Sequence, residues 1–407
     1  MFEWTIDWAA VTPLVFLTIA VALIFDFYNG LHDAANSIAT VVATRALPVW
    51  LALILAASFN FIGAFAGTAV AATVGSGIVA KDIISTDVIL AGLLGAIFWS
   101  VLTVILGIPI SSSQSLIGGL IGAALAKAGL LGVQWPGWSD IQPVLIVLGW
   151  GAAAGAVVGL VIAMASRGGL RAGLLGGAVI GSAGYLAYSI FTGLKLQKLL
   201  ATILFIAYSP IIGFLLAFAL TALLAWICRH MAPGRVKHTF RWLQLLSSSA
   251  YSFGHGTNDA QKTMGVITAL LIAAGAVPQG DINHFPVPYE VIVASGLAIA
   301  FGTLIGGHKI VRTMGTKLTH LDTTQGFAAE SASAVSLFFL ANQGVPVSTT
   351  HSITGSILGV GAFQRLSAVS WGTARRIVSA WIITIPMAAI VAALMFFVLQ
   401  LVLGAAS

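Results

Sequence analysis

GIPISSSQSLIG at residues 107–118 returns as GVPVSTTHSITG at residues 344–355. Proline, the run of hydroxyl side chains and the closing glycine recur in order at an offset of 237, and Gly122 pairs with Gly359 beyond them. A second pair lies upstream. Gly30-Leu31-His32-Asp33-Ala34-Ala35-Asn36 answers to Gly256-Thr257-Asn258-Asp259-Ala260-Gln261-Lys262 at an offset of 226. Self-similarity over this span means that the chain is two copies of one unit.

The medium around that unit follows from composition. Of the 407 residues, 59% are hydrophobic and only 7% are charged, with a mean hydropathy of +1.03. A soluble domain carries about 25% charged residues, so there is too little charge here to cover a globular surface. Apolar runs at 11–25, 49–74, 88–108, 144–165, 203–227, 291–305 and 377–403 approach or exceed the roughly 20 residues that a membrane helix needs. Stretches near 175–191, 243–274 and 327–340 read as spans with polar interruptions. The expected fold is an all-α polytopic membrane protein of two inverted repeats, with roughly ten transmembrane helices and two re-entrant helical hairpins. The expected division is 1–195 as the first half, 196–241 as a connecting helix with a short basic loop, and 242–407 as the second half.

Met1–Trp8 contains Glu3 and Asp7 and no Lys or Arg, so the first apolar run reads as a retained helix rather than a signal peptide. Cys228 is the single cysteine, which excludes an internal disulfide, and no Cys/His spacing suggests zinc. The net charge of +6 fits basic residues held at a cytoplasmic face better than nucleic-acid binding.

Basic residues cluster in two segments, Arg229–Arg241 and His308–His320. The connection between the two intervening spans holds Asp281 and Glu290 and no Lys or Arg. Both basic segments then lie in the cytoplasm, and the acidic connection and the acidic N-terminus lie outside. The chain reaches Asp33 from outside and Asp259 from inside, so the repeats are inverted. Inverted repeats with broken helices are a common design of secondary transporters, with the site near the midplane. Localisation in the cell membrane follows, with the lipid bilayer as a partner.

The motifs carry complementary chemistry. Asp26, His32, Asp33, Asn36, His255, Asn258, Asp259 and Lys262 fall within or at the ends of apolar segments. Ionisable groups at that depth are expensive and face a cavity or a partner. As ordinary surface caps they would need no repeat, yet the Asp-Ala pair recurs in both halves. Gly30, Gly254 and Gly256 beside them permit local unwinding. The hydroxyl motifs, Ser111, Ser112, Ser113, Gln114 and Ser348, Thr349, Thr350, His351, follow a proline as helix starts do. Free N–H groups and the helix dipole make such a start an anion site. Residues 116–128 and 353–363 are short for a full crossing and read as hairpin arms packed in protein. The bland alternative is Ser and Thr packing one ordinary helix on another.

Carboxylates repel phosphate, so Asp33 and Asp259 suit a cation, Na⁺ or H⁺, and are the positions that would ligate Na⁺. Ser, Thr and backbone N–H groups suit phosphate oxygens. Glu330 has Leu93 at the matching first-half position, breaks the symmetry, and is either a cation or proton carrier or the partner of a base.

At these residues the chain resembles the inorganic phosphate transporter (phosphate permease) family, over about residues 15 to 400. The resemblance implies a central site between inverted repeats, often in a homodimer, and inorganic phosphate moved with Na⁺ or H⁺, with no other cofactor. It implies phosphate binding by Ser111, Ser112, Ser113, Gln114, Ser348, Thr349, Thr350, His351, Asn36 and Asn258. It implies coupling at Asp33 and Asp259, with Glu330, His32 and Lys262. His32 departs from the common Asn, Gln261-Lys262 from Ala-Asn, and the Arg229–Arg241 connection is short. A fixed ammonium at Lys262 could stand in for one coupling cation. A sulfate permease of the same fold, an intramembrane hydrolase and a channel are the rival readings. Sulfate at neutral pH donates no hydrogen bond, so acceptors at Asp33, Asp259 and Gln114 favour phosphate. A hydrolase needs two acids and a metal set at one site, and ion-filter rings need several identical subunits or carbonyl-lined loops.

Overall fold

The structure is a computed structural model that describes residues 4–165, 169–280, 285–306 and 308–404. Glu3 and Asp281, used above for orientation, lie outside the described residues, as do the side chains of His308, Lys309 and Arg312. The described residues form fourteen α-helices and no strand. They are α1 (Pro13–Ala43), α2 (Val49–Gly63), α3 (Ala69–Gly77), α4 (Thr86–Leu106), α5 (Ser112–Ala128), α6 (Trp138–Ala165) and α7 (Leu170–Phe191). They continue as α8 (Lys198–Cys228), α9 (Pro233–Ala273), α10 (Tyr289–Ile305), α11 (His308–Thr316), α12 (Thr323–Asn342), α13 (Thr349–Gln364) and α14 (Trp371–Gly404). Among the described residues seven helical stretches are long and apolar enough to cross a membrane, within α1, α4, α6, α7, α8, α14 and the run Ser112–Gly132. α2 and α10 are apolar but shorter.

The order of elements repeats. α1 to α5 and α9 to α13 each run as a long helix, a mid-length helix, a short helix, a long helix and a Ser/Thr-started helix. Their packing repeats too: α1 lies on α10, α4 and α11, and α9 lies on α2, α12 and α3. α1 and α9 are antiparallel. Ser248 Oγ donates to Ser37 O (3.2 Å), Thr44 Oγ1 to Gln244 Oε1 (2.7 Å) and Arg241 Nε to Ala46 O (3.3 Å), so rising numbers on one meet falling numbers on the other.

Three expectations are corrected. The stretch 49–74 is not one span, because α2 stops at Gly63 and α3 begins at Ala69. The Arg229–Arg241 segment is mostly helical, since α9 starts at Pro233, where proline suits a first turn. The motifs around Asp33 and Asp259 lie inside unbroken helices rather than unwound ones. Gly30 and Gly256 serve close approach there. A Cβ on Gly30 would sit 2.1 Å from the carbonyl oxygen of Ile299 in α10, and one on Gly256 would sit 2.1 Å from that of Asn60 in α2. In lipid, helices have no hydrophobic drive to associate, and small residues that let backbones approach supply the packing instead.

α8 does more than connect. Gly355 and Gly359 of α13 face the carbonyls of Pro210 and Phe214 in α8, as Gly118 and Gly122 of α5 face those of Ile385 and Ala389 in α14. α8 is therefore the packing counterpart of α14, inserted before the second set of elements. α6 and α7 pack chiefly on each other and carry a broad exposed apolar surface.

Candidate functional site

α1 and α9 carry the aspartates, and the first turns of α5 and α13 meet them. Thr12 and Ser111 illustrate why these helices begin where they do. Each lies in extended backbone and accepts from an N–H three residues on, Ser111 from Gln114 N at 3.3 Å. Ser348 does the same for α13, accepting from His351 N at 3.2 Å. The first hydroxyl of each motif thus fixes its helix, and the next two are left to turn inward.

Of these, Ser112, Thr349 and Thr350 reach the carboxylates, and Ser113 meets Lys262. Asp33 receives Ser112 Oγ at 3.0 Å on one oxygen and Thr350 Oγ1 at 3.3 Å on the other. Asp259 receives Thr349 Oγ1 at 3.2 Å. Asn36 Nδ2 donates to Thr350 Oγ1 at 2.8 Å, and Lys262, at the equivalent repeat position, donates to Ser113. Each aspartate motif therefore touches both hydroxyl motifs, its own half's and the other's. Lys262 Nζ also lies 2.5 Å from Asp259 Oδ1 and donates to Val347 O at 2.8 Å. His32 Nδ1 is 3.0 Å from Asp33 Oδ1, and its Nε2 is 3.3 Å from Ile108 O. Both amide atoms of Asn258, buried, have no protein partner, nor does Asn36 Oδ1.

His255 stands between the aspartates; the sequence singles it out as an ionisable group at membrane depth but assigns it no role at the site. Its Nε2 is 3.1 Å from Asp259 Oδ2 and 3.6 Å from Asp33 Oδ2. Its Nδ1 lies 3.1 Å from Asn60 Oδ1, whose amide nitrogen donates to Thr303 Oγ1 at 2.9 Å. Both ring nitrogens face acceptors, which the doubly protonated ring satisfies. The sequence signal was its position four residues before Asp259, on one helix face.

The coupling cation can be tested against this set. Asp33, His255 and Asp259 offer ligand atoms all within 4.8 Å of one another. Imidazole nitrogen suits transition metals more than an alkali ion, and Lys262 already brings an ammonium to Asp259. The centre as built matches two carboxylates with positive charge from its own chain.

Three expected residues sit elsewhere. The side chains of Gln114 and His351 line a largely apolar cavity among α7, α8, α13 and α14, where His351 Nδ1 donates to Ile206 O at 2.9 Å and its ring stacks on Trp381 at 3.7 Å. Glu330, on α12, is held by Thr40, Gln244 (3.4 Å) and Ser247 (2.5 Å), further along α1 and α9 from the aspartates. Its expected basic partner is absent from these contacts.

Buried charges between antiparallel helices of an apolar bundle define the class: a multi-pass membrane protein with a polar centre in its interior. The comparisons make this specific. The model of the phosphate transporter family matches residues 29–172 and 172–392, so the chain belongs to that family. A Rhizobium meliloti protein described as a probable low-affinity inorganic phosphate transporter is 44% identical over 96% of this chain and 98% of its own. A Bacillus subtilis protein of the same description is 35% identical over the same shares. A solved structure titled "The sodium-dependent phosphate transporter" superposes with a TM-score of 0.68 over 96% of this chain and 100% of that one, at 24% identity, and so shares the fold. These relatives are transporters, and the chain is a transporter rather than an enzyme.

Proposed function

We propose that this protein imports inorganic phosphate across the cell membrane by symport with a cation, H⁺ or Na⁺. The observation that carries the reading is the crossed convergence of both hydroxyl motifs on both aspartate motifs. The substrate is supported by the names of the relatives, and the symport by two buried carboxylates beside an anion site.

In this reading phosphate is held by Ser112, Ser113, Thr349, Thr350, Asn36 and Asn258, with the N–H groups at the starts of α5 and α13. Ser111 and Ser348 shape those starts as caps. Gln114 and His351 support them from the cavity behind. Asp33 and Asp259 are the coupling carboxylates, with His32, His255 and Lys262 as charge partners and Glu330 as a further acid on the path.

Competition couples the two ligands. Ser112, Thr349 and Lys262 donate to aspartate, and a phosphate oxygen would claim the same donors. A proton or cation on an aspartate weakens its hold and releases them to phosphate. Phosphate then favours cation uptake by the same factor, as linkage requires. The antiparallel α1 and α9 support two inverted halves, 1–195 and 242–407, that rock about this centre, with the N-terminus outside. The resemblance to the family supports a homodimer.

Radiolabelled phosphate uptake into proteoliposomes tests the reading. Saturable uptake driven by an inward Na⁺ or H⁺ gradient is expected. Uptake of sulfate but not phosphate, or phosphate flux indifferent to both gradients, would overturn it.

A further inference from the structure

At one end of the bundle α1 and α8 finish and α9 and α12 start, around a cavity of about 920 Å³. Arg45, Arg229, Lys237 and His320 line it. The single acid among its lining residues is Asp322, whose carboxylate caps α12 and accepts from Gln325 N at 2.9 Å. Arg45 and Lys237 are exposed and pair with no acid among the described residues. The cavity therefore holds positive charge that its own walls do not match.

The backbone singles out Arg45. It follows the C-cap of α1 with φ 58°, in the left-handed region, and every other described residue with such a φ is a glycine. Gly275 holds the same place and conformation past the C-cap of α9. The turn itself thus needs no arginine, and a residue with a Cβ is strained there. Strain of this kind points to a use for the side chain that bears it. The neighbouring helix shows what that charge faces. The guanidinium of Arg229 lies 5.3 Å over the Trp226 ring, and Trp226, Leu223 and Ile227 are exposed on α8. Tryptophan at the end of a membrane helix sits at headgroup level. A basic rim at that level, with an apolar helix face running on beneath it, suits a molecule that has both an anionic phosphodiester and an acyl chain. A free phosphate ion, five non-hydrogen atoms in all, would leave most of the cavity unfilled.

We propose that this cavity binds the headgroup of an anionic glycerophospholipid through Arg45, Arg229 and Lys237, with an acyl chain lying along α8. None of the residues of the Asp33–Asp259 centre lines the cavity, so the lipid binds whatever that centre carries.

Titration of the purified, delipidated full-length protein in detergent with radiolabelled phosphatidylglycerol or phosphatidylcholine, at constant ionic strength, tests it. Saturable binding of phosphatidylglycerol, tighter than that of phosphatidylcholine, is expected in the wild type. Arg45→Gln and Lys237→Gln are each expected to weaken phosphatidylglycerol about fivefold and to leave phosphatidylcholine unchanged. Arg45→Gly removes the charge and relieves the strained turn together. It is expected to keep the wild-type melting temperature or exceed it while losing the same fivefold in affinity, and it decides the matter if the other variants do not fold. Equal affinity for the two lipids, or unchanged phosphatidylglycerol binding in Arg45→Gly and Lys237→Gln, would overturn the site. Displacement of phosphatidylglycerol by inorganic phosphate at the same ionic strength would assign the cavity to a soluble anion and overturn it too.

Discussion

Asp33 binds donors from both halves and Asp259 binds donors of its own half, so a neutral amide at either position loses the charge that those donors and His255 are arranged around. Asp33→Asn and Asp259→Asn are expected to abolish gradient-driven phosphate uptake while the protein still elutes as a folded species in size-exclusion chromatography. Normal uptake by either variant would remove that aspartate from the coupling role. Ser112→Ala and Thr349→Ala each delete one hydrogen bond to a charged group, worth about 1.5–3 kcal/mol. The half-saturation concentration for phosphate is expected to rise about tenfold or more in each, and an unchanged value would take the hydroxyl out of the site. His255 shows what the residue scale hides from sequence. A histidine in an apolar helix is as often a satisfied core group as a functional one, and only the approach of α1 to α9 sets its Nε2 between two carboxylates.

The helices meet through glycines at matched positions. A Cβ on Gly355 would lie 2.0 Å from the carbonyl oxygen of Pro210, a backbone atom that cannot swing aside. Gly355→Val is expected to force α8 and α13 apart at a cost of about 1–3 kcal/mol or more, read as a lowered melting temperature in detergent. Gly372→Val, where nothing lies within 4 Å, is the control expected to change little. Losing the Ser111 cap should cost about 1 kcal/mol, so Ser111→Ala is expected to lower phosphate affinity without a direct ligand being lost. The element scale was only partly legible. Caps and prolines marked the starts of α5 and α13 correctly, whereas glycines beside Asp33 and Asp259 suggested unwinding. The same residue that frees a backbone also lets another helix touch it, and sequence does not distinguish the two uses.

For the molecule as a whole, the crossed contacts make the two sets of elements answer to one centre. Phosphate and the coupling cation should then raise each other's affinity by one common factor. Measuring the equilibrium dissociation constant of each at several concentrations of the other checks this; unequal factors, or none, would separate the two sites. α8 is the feature of the architecture that sequence placed least well. Its apolar run marks it as a membrane helix, but nothing in its residues says that it lies along α13 as α14 lies along α5.

The sequence by itself determined the medium, from charge too sparse for a soluble surface, and the doubling of the chain, from two motif pairs at near-equal offsets. It also singled out the residue types that meet, buried carboxylates and helix-start hydroxyls, because the preference of each for its position is local chemistry. The tertiary structure alone decided which copies meet. Ser112 and Thr350 reach one aspartate from opposite halves, Lys262 and His255 supply charge to the centre, and Gln114, His351 and Glu330 stand outside that cluster. Such pairings depend on the packing of helices whose partners lie from 79 to 317 residues apart in the chain, where no periodicity within a segment carries information.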